Sequence, residues 1–331
     1  MVKLYVGDVM HYASEYAGKI DIKSIKQRLN DLKKPISRTK KYRQYYNYLT
    51  KILHWLDNGL LNAPPSILNQ IIKDFSSLTI DMSFNIFNGI PFYKSIITAM
   101  EYDKVRDIYR KYVPKIGIKT CVYCNAQYAI TFTNTSNKEY AQFEIDHWKA
   151  KSRFPFLCIS FFNFVPSCPS CNKHKGDDDL EYSLYTEIPH HINEEEYDPF
   201  VFRIPDVNLA IFLNSYQSDI LKLEFKSKSH NIKMENDYKR FAINEMYQLF
   251  IDEAALFILR FLFYNNAYRK QLESSFRPLF KSGISYDEFI YGTSFRPGDT
   301  FRRPLSKMIR DLHTQLEPSI EHVMWLKEKV G

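Results

Sequence analysis

The chain has 331 residues, 45% of them hydrophobic, which suffices for one large domain or two to three small ones with a sizeable core. A formal net charge of +7 favours a polyanionic partner without requiring one. No run of about 18 uninterrupted apolar residues occurs, so no membrane-spanning helix is expected, and the opening "MVKLYVGDVMHYASEY" carries no signal-peptide pattern. The expectation is a cytoplasmic protein in a reducing setting.

From Ile22 to about Met100 apolar residues recur at three- and four-residue steps, as in "YYNYLTKILHWLDNGLL", which predicts helices. Ala63-Pro64-Pro65-Ser66 breaks this region and starts a new helix. "DLKKPISRTKKYRQYYNYL" places Lys33, Lys34, Arg38, Lys40, Lys41 and Arg43 among Tyr42, Tyr45, Tyr46 and Tyr48. Such a stretch reads equally as a phosphate-following surface with stacking rings or as a solvated helix face over a tyrosine-rich core.

At Thr120 the texture changes. "CVYCNAQYAITFTN", the polar "TNTSNKEY" and "AQFEIDH" read as a two-stranded hairpin with a longer loop. "FPFLCISFFNFVPS" reads as a compact apolar loop, and "CPSCNKHKGDDD" as a knuckle turning into a helix. An acidic stretch with exposed His190 and His191 follows, then one strand at "LKLEFKS". The helical period returns from Asn236 through "FAINEMYQLFIDEAALFILRFLFYNNAYRKQLESSF", as one or two long helices. Within it, "AALFILRFLF" is broken by Arg260 and fits a buried helix. The tail is expected to be helical after Pro304. Arg296, Arg302, Arg303 and Lys307 offer a second basic surface there, for nucleic acid or a protein.

Five cysteines occur. Cys121/Cys124 and Cys168/Cys171 form two C-x-x-C knuckles, and two knuckles complete a tetrahedral four-thiolate site for a structural Zn2+ with no open position for water. The 43 residues between them exceed ordinary ribbon spacing and require a structured insertion. A redox dithiol is the competing reading, disfavoured by the presence of two separate pairs without a surrounding βαβ pattern. Cys158, in an apolar run, reads as a small buried hydrophobe.

Inside this frame stand Asp146-His147, then Asn163, then Asn172 directly after Cys171. The ordered pieces "CVYC", "EIDHWKAKS", "FFNFVPSC" and "CPSCNKHKG", from Cys121 to Gly176, resemble the HNH, or ββα-metal, endonucleases. The resemblance implies an α+β, predominantly α chain: a ββα-metal HNH module with zinc knuckles (117–185) embedded in a helical body, with an N-terminal helical region (1–116) and a C-terminal mainly helical region (186–331). It implies hydrolysis of phosphodiester bonds, in DNA or alternatively RNA. His147 would be the general base, its ordinary pKa of about 6.5 suiting proton acceptance near neutrality. Asp146, on the opposite face of the strand end, would hold a divalent cation. Asn163 would fix the loop that orients His147. Family members often have histidine where Asn172 stands, so Asn172 is the expected second ligand, with Mg2+ or Mn2+ suited to oxygen donors. His174 lies about 200° around a helix from Asn172 and is the weaker candidate. Lys149, Lys151, Lys173 and Lys175, with Lys40, Lys41 and Arg43, are the expected nucleic-acid contacts.

Each residue also has a plainer reading: Asp146 as a helix cap or a partner of Lys149 or Lys151, His147 as a structural imidazole beside Trp148, Asn163 as a turn former. A non-catalytic zinc module that binds nucleic acid or protein is the alternative class. The whole-chain layout, including "FAINEMYQ" and "RPLSKMIRDL", further resembles the HNH nuclease subunits of Septu-type anti-phage systems, which implies a defence role beside an ATPase subunit.

Overall fold

The computed structural model describes residues 1–36, 40–87, 89–136, 139–264, 266–281 and 285–317. Arg38 and the tail beyond residue 317 therefore lie outside the described residues. The chain is predominantly helical with small sheets, the expected α+β class in its coarse form. None of its described helices is long and apolar enough to cross a membrane. It divides into two compact units, one comprising 3–118 and 129–197, the other 1–2, 119–128 and 198–331.

In the first unit a short strand β1 (Leu4–Tyr5) leads into α1 (Val6–Gly18), α2 (Ile22–Lys33), α3 (Arg43–Asp57) and α4 (Pro65–Phe75). The Asp21 side chain caps α2 by accepting the Ser24 N–H at 3.1 Å, and Pro65 opens α4, where its missing N–H costs nothing. The expected helical run is interrupted by a small hairpin, β2 (Asn85–Phe87) with β3 (Ile90–Pro91). Gly89, at φ 75°, supplies the left-handed turn residue. Then come α5 (Phe92–Ala99) and α6 (Tyr102–Arg110).

A hairpin does form after the first knuckle, β4 (Thr131–Thr133) against β5 (Glu139–Ala141), but β5 lies mostly in the stretch expected as its turn and shares only Ala141 with the expected second strand. The segment carrying Asp146 and His147 is a separate strand, β6 (Glu144–His147). Its antiparallel partner is β7 (Phe164–Ser167), which lies inside the stretch expected to be loop. All four β7 residues are buried, so no polar alternation marks the strand. Helix α7 (Pro169–Lys175) follows, then β8 (Tyr185–Thr186), which pairs in parallel with β1, and α8 (Glu194–Tyr197). Much of the aromatic content packs here. Tyr16 meets Tyr109 edge-on at 6.2 Å and Phe161 at 5.5 Å, Tyr109 lies 4.5 Å from Phe164, and the Tyr16 hydroxyl donates to the Ile159 carbonyl at 2.6 Å. These rings hold the 155–167 segment that faces His147.

The second unit is built around β9 (Phe200–Arg203) paired antiparallel with β10 (Glu224–Ser227), with α9 (Asp206–Ser215) between them in sequence. Its helices are α10 (Ile232–Lys239), α11 (Ile243–Gln248), α12 (Ile251–Phe263), α13 (Asn266–Ser275), α14 (Arg277–Lys281), α15 (Tyr286–Tyr291) and α16 (Ser306–Leu316). The one or two long helices expected here are thus several shorter ones; α10 and α11 part where Ala242 takes a left-handed φ of 47° without a glycine or proline to announce it.

Helix side chains cap the outer edges of this two-stranded ribbon. On one edge Asp311 accepts the Phe202 N–H at 2.8 Å, and Gln315 bonds both the N–H and the carbonyl of Ile204. On the other edge Asn244 accepts the Phe225 N–H at 2.7 Å, and Gln248 bonds both backbone groups of Leu223. Each pair is spaced i, i+4 on its helix, which brings both side chains to one face. Lys307 is no surface cation. It is buried, with Nζ 2.6 Å from Asp311 Oδ1, 3.0 Å from Asp198 Oδ1 and 2.6 Å from the Phe200 carbonyl. Arg296, Arg302 and Arg303 are exposed, with Arg302 paired to Asp299 at 2.8 Å.

Candidate metal centre and hydrolytic site

The first knuckle is a turn in which the Cys121 N–H donates to the Gln127 carbonyl at 2.9 Å and the Asn125 N–H to the Cys121 carbonyl at 2.8 Å. Asn125 occupies the left-handed region, φ 51°, which asparagine tolerates better than most residues. Its buried side chain donates to Thr120 Oγ1 at 2.9 Å and the Thr300 carbonyl at 3.0 Å, and accepts the Lys307 N–H at 3.0 Å. The Tyr247 hydroxyl donates to the Cys124 carbonyl at 2.7 Å, and Phe241 stacks on Tyr123 at 4.8 Å. "FAINEMYQ" therefore helps to hold the knuckle, and so does Asn125, a residue that no sequence motif singles out. The second knuckle opens α7, where Cys168 is the N-cap and its Sγ accepts the Cys171 N–H at 3.4 Å.

The four sulfurs of Cys121, Cys124, Cys168 and Cys171 lie within 4.8 Å of one another, and all four residues are buried. A tetrahedral zinc with Zn–S bonds of about 2.3 Å needs sulfurs about 3.8 Å apart, so the donors fit an ion held by four thiolates. Among the described residues, this is the one group of three or more His, Cys, Asp or Glu that converges in this way. Cys158 stands apart, buried with its Sγ 3.8 Å from the Met100 sulfur.

Asp146 and His147 end β6 opposite Val165 and Phe164. Both are buried, at 6% and 3% exposure, yet both line a cavity of about 210 Å³ with Ile145, Ala150, Lys151, Asn172, Gly176 and Asp177. The His147 ring lies 5.3 Å from Tyr102 and 5.4 Å from Phe164, and its Nε2 is 3.2 Å from the Cys158 carbonyl. A carbonyl only accepts, so Nε2 carries the proton and Nδ1 the lone pair in the neutral ring. Burial pushes the imidazole down to about 3, helped by Lys151 and Lys175 and opposed by the Cys158 carbonyl. His147 is thus neutral at pH 7.

Asn163, fully buried, ties the loop beyond His147. Its Oδ1 accepts the Lys149 N–H at 2.8 Å, and its Nδ2 donates to the carbonyls of Lys149 and Leu157 at 3.1 and 3.0 Å. Asp146 Oδ1 accepts the His147 N–H at 2.7 Å and lies 3.3 Å from the Lys175 ammonium. Asn172 donates through Nδ2 to Glu144 Oε2, so its amide nitrogen is engaged by a carboxylate. Asp146 and Asn172 both line this cavity and are hard oxygen donors of the kind Mg2+ or Mn2+ takes. His174 is exposed, with Nδ1 2.8 Å from the Ser170 carbonyl, and is not among the residues that line this cavity.

The expected cations divide. Lys40, Lys41, Arg43 and Lys173 are exposed, and Lys149 and Lys151 half-buried. Lys149 sits 4.4 Å over the Trp148 ring and Lys151 4.5 Å over Tyr102. Lys175 departs from its expected role, because its side chain is fully buried at Asp146 and cannot follow a phosphate backbone on the surface. Lys175 as a partner of Asp146 and Glu144 as a partner of Asn172 were not legible as site residues. The signal for Lys175 was its place three residues after Asn172 on one short helix. No protein-family model, curated protein or solved structure matches this chain.

Proposed function

We propose that the chain is a metal-dependent endonuclease of the HNH type that hydrolyses phosphodiester bonds in DNA, with the four cysteines as a structural zinc centre. The observation that carries this reading is one cavity lined by His147 and Asp146 from the end of β6 and by Asn172 from α7. His147 Nδ1 would take the proton of an attacking water, and its Nε2–H bond to Cys158 keeps the ring in the right tautomer. The ordinary pKa expected from the sequence does not hold in the free site, where burial makes the ring a weak base; the negative charge of a bound phosphodiester offsets the two lysines and raises it. Asp146 and Asn172 would hold Mg2+ or Mn2+. Once bound, such an ion supplies Lewis-acid charge on the phosphate and the leaving oxygen. Attack forms a new P–O bond and breaks the bond to the leaving alkoxide, which takes up a proton from solvent water, while His147 returns its proton to solvent. Lys151, at the cavity wall, offers positive charge to the phosphate.

The surrounding scaffold is far larger than such a site needs, which supports a restrained effector, and the resemblance to Septu-type subunits points to an ATPase partner in anti-phage defence. Arg296, Arg302 and Arg303 are its candidate docking residues. One observation favours a second reading, a zinc module that binds nucleic acid or protein without cutting it: Asp146 is already paired with a buried lysine. Cleavage assays on plasmid, linear DNA and RNA, with and without Mg2+ or Mn2+ and with and without an ATPase subunit of the Septu type, separate the readings. Metal-dependent nicking of DNA supports the nuclease, cutting confined to RNA moves the substrate class, and binding without cutting under every condition supports the module.

A further inference from the structure

The charges around the cavity do not suit a metal ion that is permanently resident. Of the two proposed ligands, Asn172 is neutral and Asp146 carries a single negative charge. That charge lies 3.3 Å from the ammonium of Lys175, whose side chain is fully buried while that of Asp146 is 8% exposed. The same Asp146 oxygen also accepts the His147 N–H. Lys151 adds a positive charge at the wall, and the two further carboxylates nearby, Asp177 at the rim and Glu144 behind the Asn172 amide, are both exposed. Lys175 sits in the last turn of α7, where the helix carbonyl end favours a cation, and it is 1% exposed. In a site this enclosed the lysine and a divalent ion repel each other strongly while sharing one carboxylate. A phosphodiester entering the cavity brings the missing negative charge and further oxygen donors.

We infer that Lys175 is a built-in cation of this site, partly neutralising Asp146, so that the divalent ion binds together with the substrate phosphate and not beforehand. The inference rests on the hydrolytic reading above. It gives that site a safeguard, since the free protein carries no loaded metal.

Manganese binding, read by loss of the free-ion electron paramagnetic resonance signal, tests it apart from activity. All proteins carry His147→Ala so that DNA is not cut, and binding is taken as the difference from the same protein with Asp146→Asn added, which removes Mn2+ held by the DNA itself. The Asp146-dependent affinity should be at least about tenfold higher with a DNA oligonucleotide than without. Lys175→Gln should raise the DNA-free affinity by at least about tenfold, and Lys175→Arg should not. Zinc content reports whether each variant folds. If Lys175→Gln fails to fold, the comparison with and without DNA still decides. Equal affinity in the two conditions, or a folded Lys175→Gln with unchanged affinity, overturns the inference and leaves the nuclease reading standing. No Asp146-dependent binding in any arm overturns both.

Discussion

Asn163 clasps Lys149 at both backbone groups: Oδ1 accepts its N–H at 2.8 Å and Nδ2 donates to its carbonyl at 3.1 Å. The Asn163 carbonyl also accepts the Trp148 N–H at 2.8 Å. The residues just after His147 are therefore fixed by one buried amide. Asn163→Ala should strand these groups and cost about 2–4 kcal/mol of stability, since buried backbone partners lose their bonds together. Asn163→Asp should retain the Lys149 N–H bond but lose the donors. Chemical denaturation of the two variants checks this, and wild-type stability in Asn163→Ala would remove the proposed role.

The zinc centre predicts about one tightly held ion per chain by metal analysis. Cys168→Ser should release it, and soluble folded protein should fall sharply, because a structural zinc contributes folding free energy directly. A folded wild-type protein without zinc would contradict the four-thiolate assignment.

His147 should stay neutral, with the proton on Nε2, down to about pH 4, because burial holds its pKa near 3. The sign follows from linkage. Below about 6.5 the unfolded chain takes up a proton that the folded site refuses, so this residue lowers stability as pH falls from about 6.5 toward 3 and contributes nothing above that window. Nitrogen-15 spectra of the imidazole read the tautomer directly. Ordinary titration near pH 6.5 would mean that the ring is more solvated than described.

Lys307 makes a comparable commitment in the second unit. Lys307→Met would leave Asp198 and Asp311 buried with Arg310, which pairs to Asp198, as their remaining principal cation. The loss should be about 3–5 kcal/mol, as for other buried ion pairs broken on one side. Thermal melting measures it, and a shift of a degree or less would show that the cluster adds little.

The features legible in the sequence are those that depend on short spacing. Two C-x-x-C turns, an Asp-His pair ending a strand and a helix after the second knuckle each follow from a few adjacent residues. Burial of individual cations was not legible. Lys175 and Lys307 look like surface lysines until the fold brings Asp146 to one and Asp198 and Asp311 to the other. Strand β7 was hidden for a related reason, since every residue of "FVPS" is buried and Pro166 argues against a strand by itself. The break between α10 and α11 was hidden because Ala242 carries no turn signal.

The central claim is that the cavity at the end of β6 hydrolyses phosphodiester bonds with His147 as base and Asp146 on the metal. The most direct measurement is plasmid cleavage by wild type, His147→Ala and Asp146→Asn in Mg2+ or Mn2+, alone and with an ATPase subunit of the Septu type, at equal zinc content. Wild type should cut. His147→Ala should lose at least about a hundredfold in rate while keeping DNA binding and zinc, the scale of a missing general base. Asp146→Asn should recover in part as Mn2+ is raised. Undiminished cutting by a zinc-loaded His147→Ala protein would contradict the account.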